Sequence, residues 1–264
     1  MGFGLAEELE KKTVYEQKIF LHTLLDVGEV MLANGAEIKR VEDTMERMGR
    51  AYGASRMNVF SIISFIMVTM SLPDGQEVTQ TRRILKPAGT DFEKLEELNR
   101  LSRRYCSQPM SIEELHGEVE KIKADNRHEL VCSYLGSMLI AAGFAVFFGG
   151  SVWDGLVSAA FAVLICLLQR HLDAFCTNRL VFNVIASFLA GVGICLVTKY
   201  VPGLNQDKII IGDIMLLIPG IALTNSIKDM LVGDTLSGVL RLIEALLWAG
   251  ALACGFMAAI GIVT

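Results

Sequence analysis

Two stretches of 19 residues, Leu130 to Phe148 and Leu180 to Thr198, contain no charged side chain. At about 1.5 Å of helical rise per residue each approaches the ~30 Å thickness of bilayer hydrocarbon, so at least part of this chain is built for lipid. The charges are correspondingly crowded elsewhere. Of 24 Lys and Arg, 18 precede Val131, as do 22 of the 29 Asp and Glu. With a mean hydropathy of +0.46, this asymmetry excludes an ordinary soluble globule, a disordered chain and a fibrous repeat. It predicts a mainly α membrane protein in which a polar α+β domain, residues 1–128, precedes a transmembrane domain, residues 129–264. The residues before Val131 carry a net charge of −4 and no basic stripe, which argues against nucleic acid as a partner.

Within the polar part, Ile19, Leu21, Leu24, Leu25, Val27, Val30 and Met31 recur at helical spacing, and Asn34-Gly35 can take the left-handed conformation that closes a helix. A second helix is expected from about Ala36 to Tyr52. The uncharged run from Met57 to Leu72 is rich in Ile, Val and Phe and short for a span, and Pro73-Asp74-Gly75 turns it into Glu77 to Leu85. That pattern predicts a β-hairpin. Two further helices follow, Asp91 to about Ser107 and Ser111 to about Ala124, the latter opening with the capping box Ser111-Ile112-Glu113-Glu114. Two helices, a hairpin and two helices are enough for one core.

Five transmembrane helices are expected, at about 130–148, 152–168, 180–198, 209–225 and 236–263. Basic residues favour one set of loops: those before the first span, then Arg170 and Arg179, then Lys228 and Arg241, against Lys199 and Lys208 opposite. By the positive-inside rule the N-terminal domain is cytoplasmic and Thr264 lies outside. The acidic and basic residues among the first 20 leave no room for the apolar segment of a secretory signal. Small residues stack at spacing four: Ser133, Ser137, Ala141, Ala145 and Gly149; Asn183, Ser187, Gly191 and Cys195; Ala251, Gly255 and Ala259. Such stripes let helix backbones approach in lipid and allow the bundle to continue into another subunit or a second copy, a homo-oligomer.

The chemistry-bearing residues gather toward the C-terminal end. Pro219-Gly220 interrupts the fourth span, because proline removes a backbone hydrogen bond and clashes with the preceding turn, so the span is expected to kink or split. Backbone groups freed at such a break can ligate a substrate where they face a cavity. Asn225, Lys228, Asp229, Asp234, Ser237, Arg241 and Glu244 follow, with Ser237, Arg241 and Glu244 on one helix face. Asp213, inside the same span, is costly in lipid unless paired or titrating, or is interfacial if the span is shifted. Asn183 could bind a ligand or a neighbouring helix. Arg40 and Glu42 lie on an amphipathic helix whose polar side is ordinarily wet. Catalytic and cofactor signatures are missing: His128-Glu129 lacks the second histidine of a zinc motif, Gly191-Val192-Gly193 lacks the third glycine, and no serine sits in a GxSxG turn. The six cysteines and four histidines show no metal spacing, and the cysteines read as small apolar packers.

Two segments together, Gly35-Ala36 with Arg40-Val41-Glu42 and the run from Leu217 to Leu246, resemble the threonine/serine exporter (ThrE) family, specifically its N-terminal-half proteins. Pro219-Gly220, Asn225, Asp229, Gly233, Gly238 and Arg241 carry the second signature. The resemblance implies a secondary exporter of small hydrophilic metabolites, with a cytoplasmic domain before a five-helix membrane unit. Family members that continue into a second membrane unit imply that this chain, ending at Thr264, is the larger component of a split exporter. Such a component needs a separate small integral-membrane subunit, and its cargo is threonine, serine or a small carboxylate. No cofactor is implied. The expected mechanism is proton-driven alternating access in the inner membrane. Half-helix termini near Pro219-Gly220 and Arg241 receive the anionic group, and Asp213 or Glu244 carries the proton. A membrane-tethered hydrolase using the N-terminal domain and a non-transporting assembly subunit are the alternatives.

Overall fold

The computed structural model describes residues 2–85, 90–125, 130–172 and 178–263, with side chains from Tyr15 onward except those of Leu130 and Leu172. Its contacts divide the chain into two compact units: Met1–Asn126 together with Thr224–Arg241, and Arg127–Leu223 together with Leu242–Thr264. The expected domain boundary between residues 128 and 129, the pair His128-Glu129, Asp173 and Cys176 lie outside the described residues.

The first unit begins with α1 (Gly2–Ala33) and α2 (Ile38–Tyr52), followed by β1 (Arg56–Ile62), β2 (Phe65–Ser71) and β3 (Glu77–Arg83), then α3 (Phe92–Ser107) and α4 (Ile112–Ala124). Helix α1 starts well before the periodicity that announces it at Tyr15, because the preceding Leu, Ala, Glu and Lys residues are good helix formers that show no apolar stripe. The expected hairpin is corrected to a three-stranded antiparallel meander in the order β1-β2-β3. A single strand from Met57 to Leu72 would extend ~50 Å, too long for so small a domain. The chain instead reverses at Ile63-Ser64, with Ile62 opposite Phe65. No Gly, Pro or Asn marks that turn in the sequence.

The sheet buries Met57, Ile66, Val68 and Met70, and α1 covers them with Leu24 and Met31 while α2 adds Met45 and Met48. Leu98 and Tyr105 of α3 and Leu115 and Val119 of α4 complete the core, and the Phe20 ring stacks on Tyr52 at 4.0 Å. Burial of the Tyr105 hydroxyl holds its ionisation up at about 12. Local caps open two helices: Ser111 accepts from Glu114 N–H at 3.2 Å, as expected, and Asp91 accepts from Lys94 N–H at 3.0 Å. A buried ionic knot ties α1 to β3 and α4. Asp26, 1% exposed, accepts from Arg82 Nη1 at 2.7 Å and Lys123 Nζ at 3.4 Å, while Glu29 takes a second bond from the same Arg82 nitrogen at 2.7 Å.

Six helices follow: α5 (Leu130–Phe147), α6 (Val152–Leu172), α7 (Arg179–Tyr200), α8 (Gln206–Leu217), α9 (Gly220–Val232) and α10 (Thr235–Val263). The chain is therefore mostly helical with one small sheet. Among the described residues, three helices are long and apolar enough to cross a membrane: Val152–His171, Arg179–Tyr200 and Thr235–Val263. Helices α8 and α9 qualify only as a pair, bent by 55° at their break, and α5 is apolar but shorter. Proline explains the break. Pro219 has no N–H to donate, and α8 ends at Ile218 with extended backbone.

The small-residue stripes account for packing within the second unit. A Cβ on Gly191 of α7 would meet Ala259 and Phe256 of α10, and one on Gly255 of α10 would strike Ser187 of α7. Gly212 of α8 lies against Ala141 and Ala145 of α5 and against Ser158 of α6 in the same way. At one end, Asp154 accepts from Ser151 N–H and Asn205 N–H, each at 2.7 Å, joining the start of α6 to the loop before α8.

Candidate functional site

The structure sorts the expected site residues into two places. In the first unit, the turn between α1 and α2 comes together with α9 and the start of α10. Helix α1 closes through Gly35, whose φ of +87° lies in the left-handed region, with Gly35 N–H on Leu32 O at 3.2 Å and Ala36 N–H on Met31 O at 3.0 Å. The carbonyls of Gly35 and Ala36 consequently point away from α1. Asn225 Nδ2 donates to Gly35 O at 2.9 Å, and Arg241 Nη2 donates to Ala36 O at 3.3 Å. Asp229 Oδ1 accepts from Ile38 N–H at 3.4 Å, and its Oδ2 faces Arg241 Nε at 3.5 Å. Lys228 Nζ meets Glu37 Oε1 at 2.9 Å on the more exposed side. Asn225 and Asp229, four apart on α9, share a face for the reason their spacing implies.

Of the other signature positions in this unit, Arg40 is exposed on α2. Glu42 is not on a wet face. Its Oε1 accepts from Ser61 N–H at 2.8 Å and from Ser61 Oγ at 3.2 Å, tying α2 to β1. Burial raises its carboxyl above the usual range, against the lowering effect of the two Ser61 bonds. Gly233, with φ of +106°, ends α9, and Gly238 lies on α10.

The second unit holds Asp213, Asn183, Pro219, Gly220 and Glu244. Asp213 is fully buried, and Ser158 Oγ donates to its Oδ1 at 3.2 Å. Its Oδ2 is buried and takes no hydrogen bond. A carboxylate so placed has lost its water and recovered one weak partner, an unfavourable state for the charged form in apolar surroundings. Asn183 is buried one turn before Ser187 on α7, the helix that packs on α10, and its carbonyl accepts from Ser187 Oγ at 2.6 Å. Gly220 opens α9 immediately after the break, where a side chain would meet open space. Glu244 is half-buried on α10. Among the described residues no three His, Cys, Asp or Glu side chains come together as a metal ion would require.

Sequence reasoning missed Ser158, the partner of Asp213, and Asp154. Ser158 carries no local signal, since its pairing with a residue 55 positions away depends on how α6 and α8 cross. Asp154 does carry one: Ser151 and Asp154 have the spacing of a helix-opening cap, and Asp154 N–H indeed donates to Ser151 Oγ at 3.2 Å.

Comparison with known proteins follows the same layout. The ThrE family model, "Putative threonine/serine exporter", matches residues 22–263. A "Probable threonine/serine exporter" of Mycobacterium tuberculosis is 23% identical over 90% of this chain and 45% of its own length. The "Threonine/serine exporter" of Corynebacterium glutamicum is 24% identical over 87% of this chain and 48% of its own. The chain thus spans about half the length of these two relatives. A "Probable succinate transporter subunit YjjP" of Escherichia coli is 24% identical over 86% of this chain and 88% of its own length. No solved structure matches. With the family model covering both the α1–α2 turn and the α9–α10 segment that meets it, the chain belongs to the threonine/serine exporter family.

Proposed function

We propose that the chain is a membrane-embedded subunit of a secondary-active exporter for small hydrophilic metabolites, and that Asp213 carries its coupling proton. The observation that bears most weight is this carboxylate, wholly buried on an apolar helix six residues before Pro219, with one hydroxyl as its partner among the described residues. A charge there is unfavourable and a proton relieves it, so a conformational change that alters access to Asp213 also loads or releases a proton. The N-terminal end of α9, just past Pro219-Gly220, receives the cargo's anionic group, aided by Asn183, while Glu244 is a second candidate for the proton.

The cargo is threonine, serine or a short carboxylate such as succinate, the compounds named for the relatives. A relative of matching length is named as a subunit, which supports a second small integral-membrane subunit that completes the pathway. With five crossings, α5, α6, α7, the α8–α9 pair and α10, the bias of Lys and Arg toward one set of loops supports residues 1–128 in the cytoplasm and the C-terminus outside.

The test is export of labelled threonine, serine and succinate from cells or proteoliposomes carrying the chain with its second subunit. Asp213→Asn removes the titrating group at constant size and is expected to abolish accumulation driven by a pH gradient while leaving cargo exchange. Glu244→Gln provides the comparison. Two variants that both remain coupled to the gradient refute the assignment.

A further inference from the structure

We infer that Asn225, Asp229 and Arg241 form an intramolecular latch on the α1–α2 turn, and that they influence export by positioning this turn without touching cargo. The transport half of this inference rests on the exporter reading above; the latch itself does not.

Helix α2 lacks a local cap. Glu37, at the capping position, is extended, but its side chain makes no capping bond, so the first amides of α2 need an acceptor from elsewhere. Asp229 supplies it from 191 positions later in the chain. On the opposite side of the same turn, the outward carbonyls of Gly35 and Ala36 need donors, and Asn225 and Arg241 supply those. One carboxylate for the amide end, and one amide and one guanidinium for the carbonyl end, match the polarity of the turn group by group.

The remaining signature residues make this match possible. Helix α9 stops at Gly233, where Gly233 N–H returns to Met230 O at 3.2 Å and Asp234 N–H to Asp229 O at 2.9 Å, so the chain reverses directly into α10. Helix α10 then lies against α9 because Gly238 has no side chain; a Cβ there would stand 2.7 Å from Ser226 O and 3.0 Å from Met230 N. That close approach sets Arg241 opposite Asp229. Gly35, Asn225, Asp229, Gly233, Gly238 and Arg241 therefore serve one device.

Burial separates this role from cargo binding. Asn225, Asp229 and Arg241 are 7%, 2% and 7% exposed; Asn225 Nδ2, Asp229 Oδ1 and Arg241 Nη2 meet backbone groups of the turn, and Asp229 Oδ2 faces Arg241 Nε. The bond lengths indicate how firmly the latch holds: the Asn225 bond is 2.9 Å, whereas the contacts of Asp229 and Arg241 run from 3.3 to 3.5 Å, near the limit of hydrogen bonding. A partly desolvated ion pair of that length contributes position more than stability.

Two measurements on the full chain test the inference. Hydrogen exchange in detergent or nanodiscs is followed over residues 36–42, with α3 and α4 as internal reference. Asn225→Ala and Asp229→Ala are expected to speed exchange there about fivefold, the factor that corresponds to a cap of ~1 kcal/mol, with α3 and α4 unchanged. Asp229→Asn, which keeps an oxygen for Ile38 N–H, should stay within about twofold of wild type. In the export assay with labelled threonine, serine and succinate, Asp229→Ala is expected to lower the maximal rate about tenfold with KM unchanged, as displacement of a supporting element does. Unchanged exchange in both alanine variants overturns the latch. A raised KM with an intact maximal rate overturns the positioning role and makes these residues cargo ligands. If the wild-type chain exports none of the three probes, that result counts against the exporter reading, and the exchange data alone decide on the latch.

Discussion

Replacing Arg82 by Met should destabilise the first unit far more than removing any exposed cation. Arg82 donates to Asp26 and Glu29, each at 2.7 Å, and Asp26 is 1% exposed while the other two side chains are about a fifth exposed. Without Arg82, Asp26 keeps Lys123 Nζ at 3.4 Å and His22 Nδ1 at 3.2 Å, both partly or largely in water. Stranding one member of a buried pair costs about 3–5 kcal/mol, and the partial exposure of Arg82 places this case near the lower end. Arg104, which meets Glu118 at 3.2 Å with half of its side chain exposed, is the control, and an exposed pair of this kind contributes less than ~1 kcal/mol. At roughly 2–4 °C per kcal/mol, Arg82→Met should lower the thermal midpoint of the full chain in detergent by about 6–12 °C, and Arg104→Met by a few degrees at most. Added salt gives a second discriminator, because it screens the exposed pair and leaves the buried one nearly untouched. Equal shifts for the two variants would refute the reasoning, since burial would then have no energetic consequence at Asp26.

Two further outcomes are expected. Glu42 has its carboxyl raised by burial, so the stability linked to it is present below the ordinary carboxylate range and is lost as pH rises through the raised value. Glu42→Gln keeps the oxygen that Ser61 uses and should therefore match or exceed wild type at pH 7, with the difference closing toward pH 4 in parallel thermal melts. Gly255→Ala places a methyl against Ser187 Oγ and 2.6 Å from Val184 O, which forces α7 and α10 apart at a cost of about 1–3 kcal/mol. Gly250→Ala meets nothing within 4 Å and should be neutral or gain up to ~1 kcal/mol of helix propensity, a contrast readable as opposite midpoint shifts in detergent.

Much of this protein is visible to a reader of its residues alone, because the interactions concerned are between near neighbours. The uncharged run Leu180 to Thr198 announces α7, a helix long and apolar enough for lipid, Pro219-Gly220 announces the break that separates α8 from α9, and Asp91 and Ser111 cap their helices within three positions. The family signature is likewise legible, as an order of residues. What that order accomplishes is not. Nothing near Glu37 reveals that α2 is capped by Asp229, nothing near Asp213 points to Ser158, and the turn at Ile63-Ser64 has no residue that marks it. Local periodicity reports which face of an element is apolar; which remote polar group it meets depends on how elements cross, and that is decided by packing at Gly212, Gly238 and Gly255, where a missing side chain sets the distance between helices.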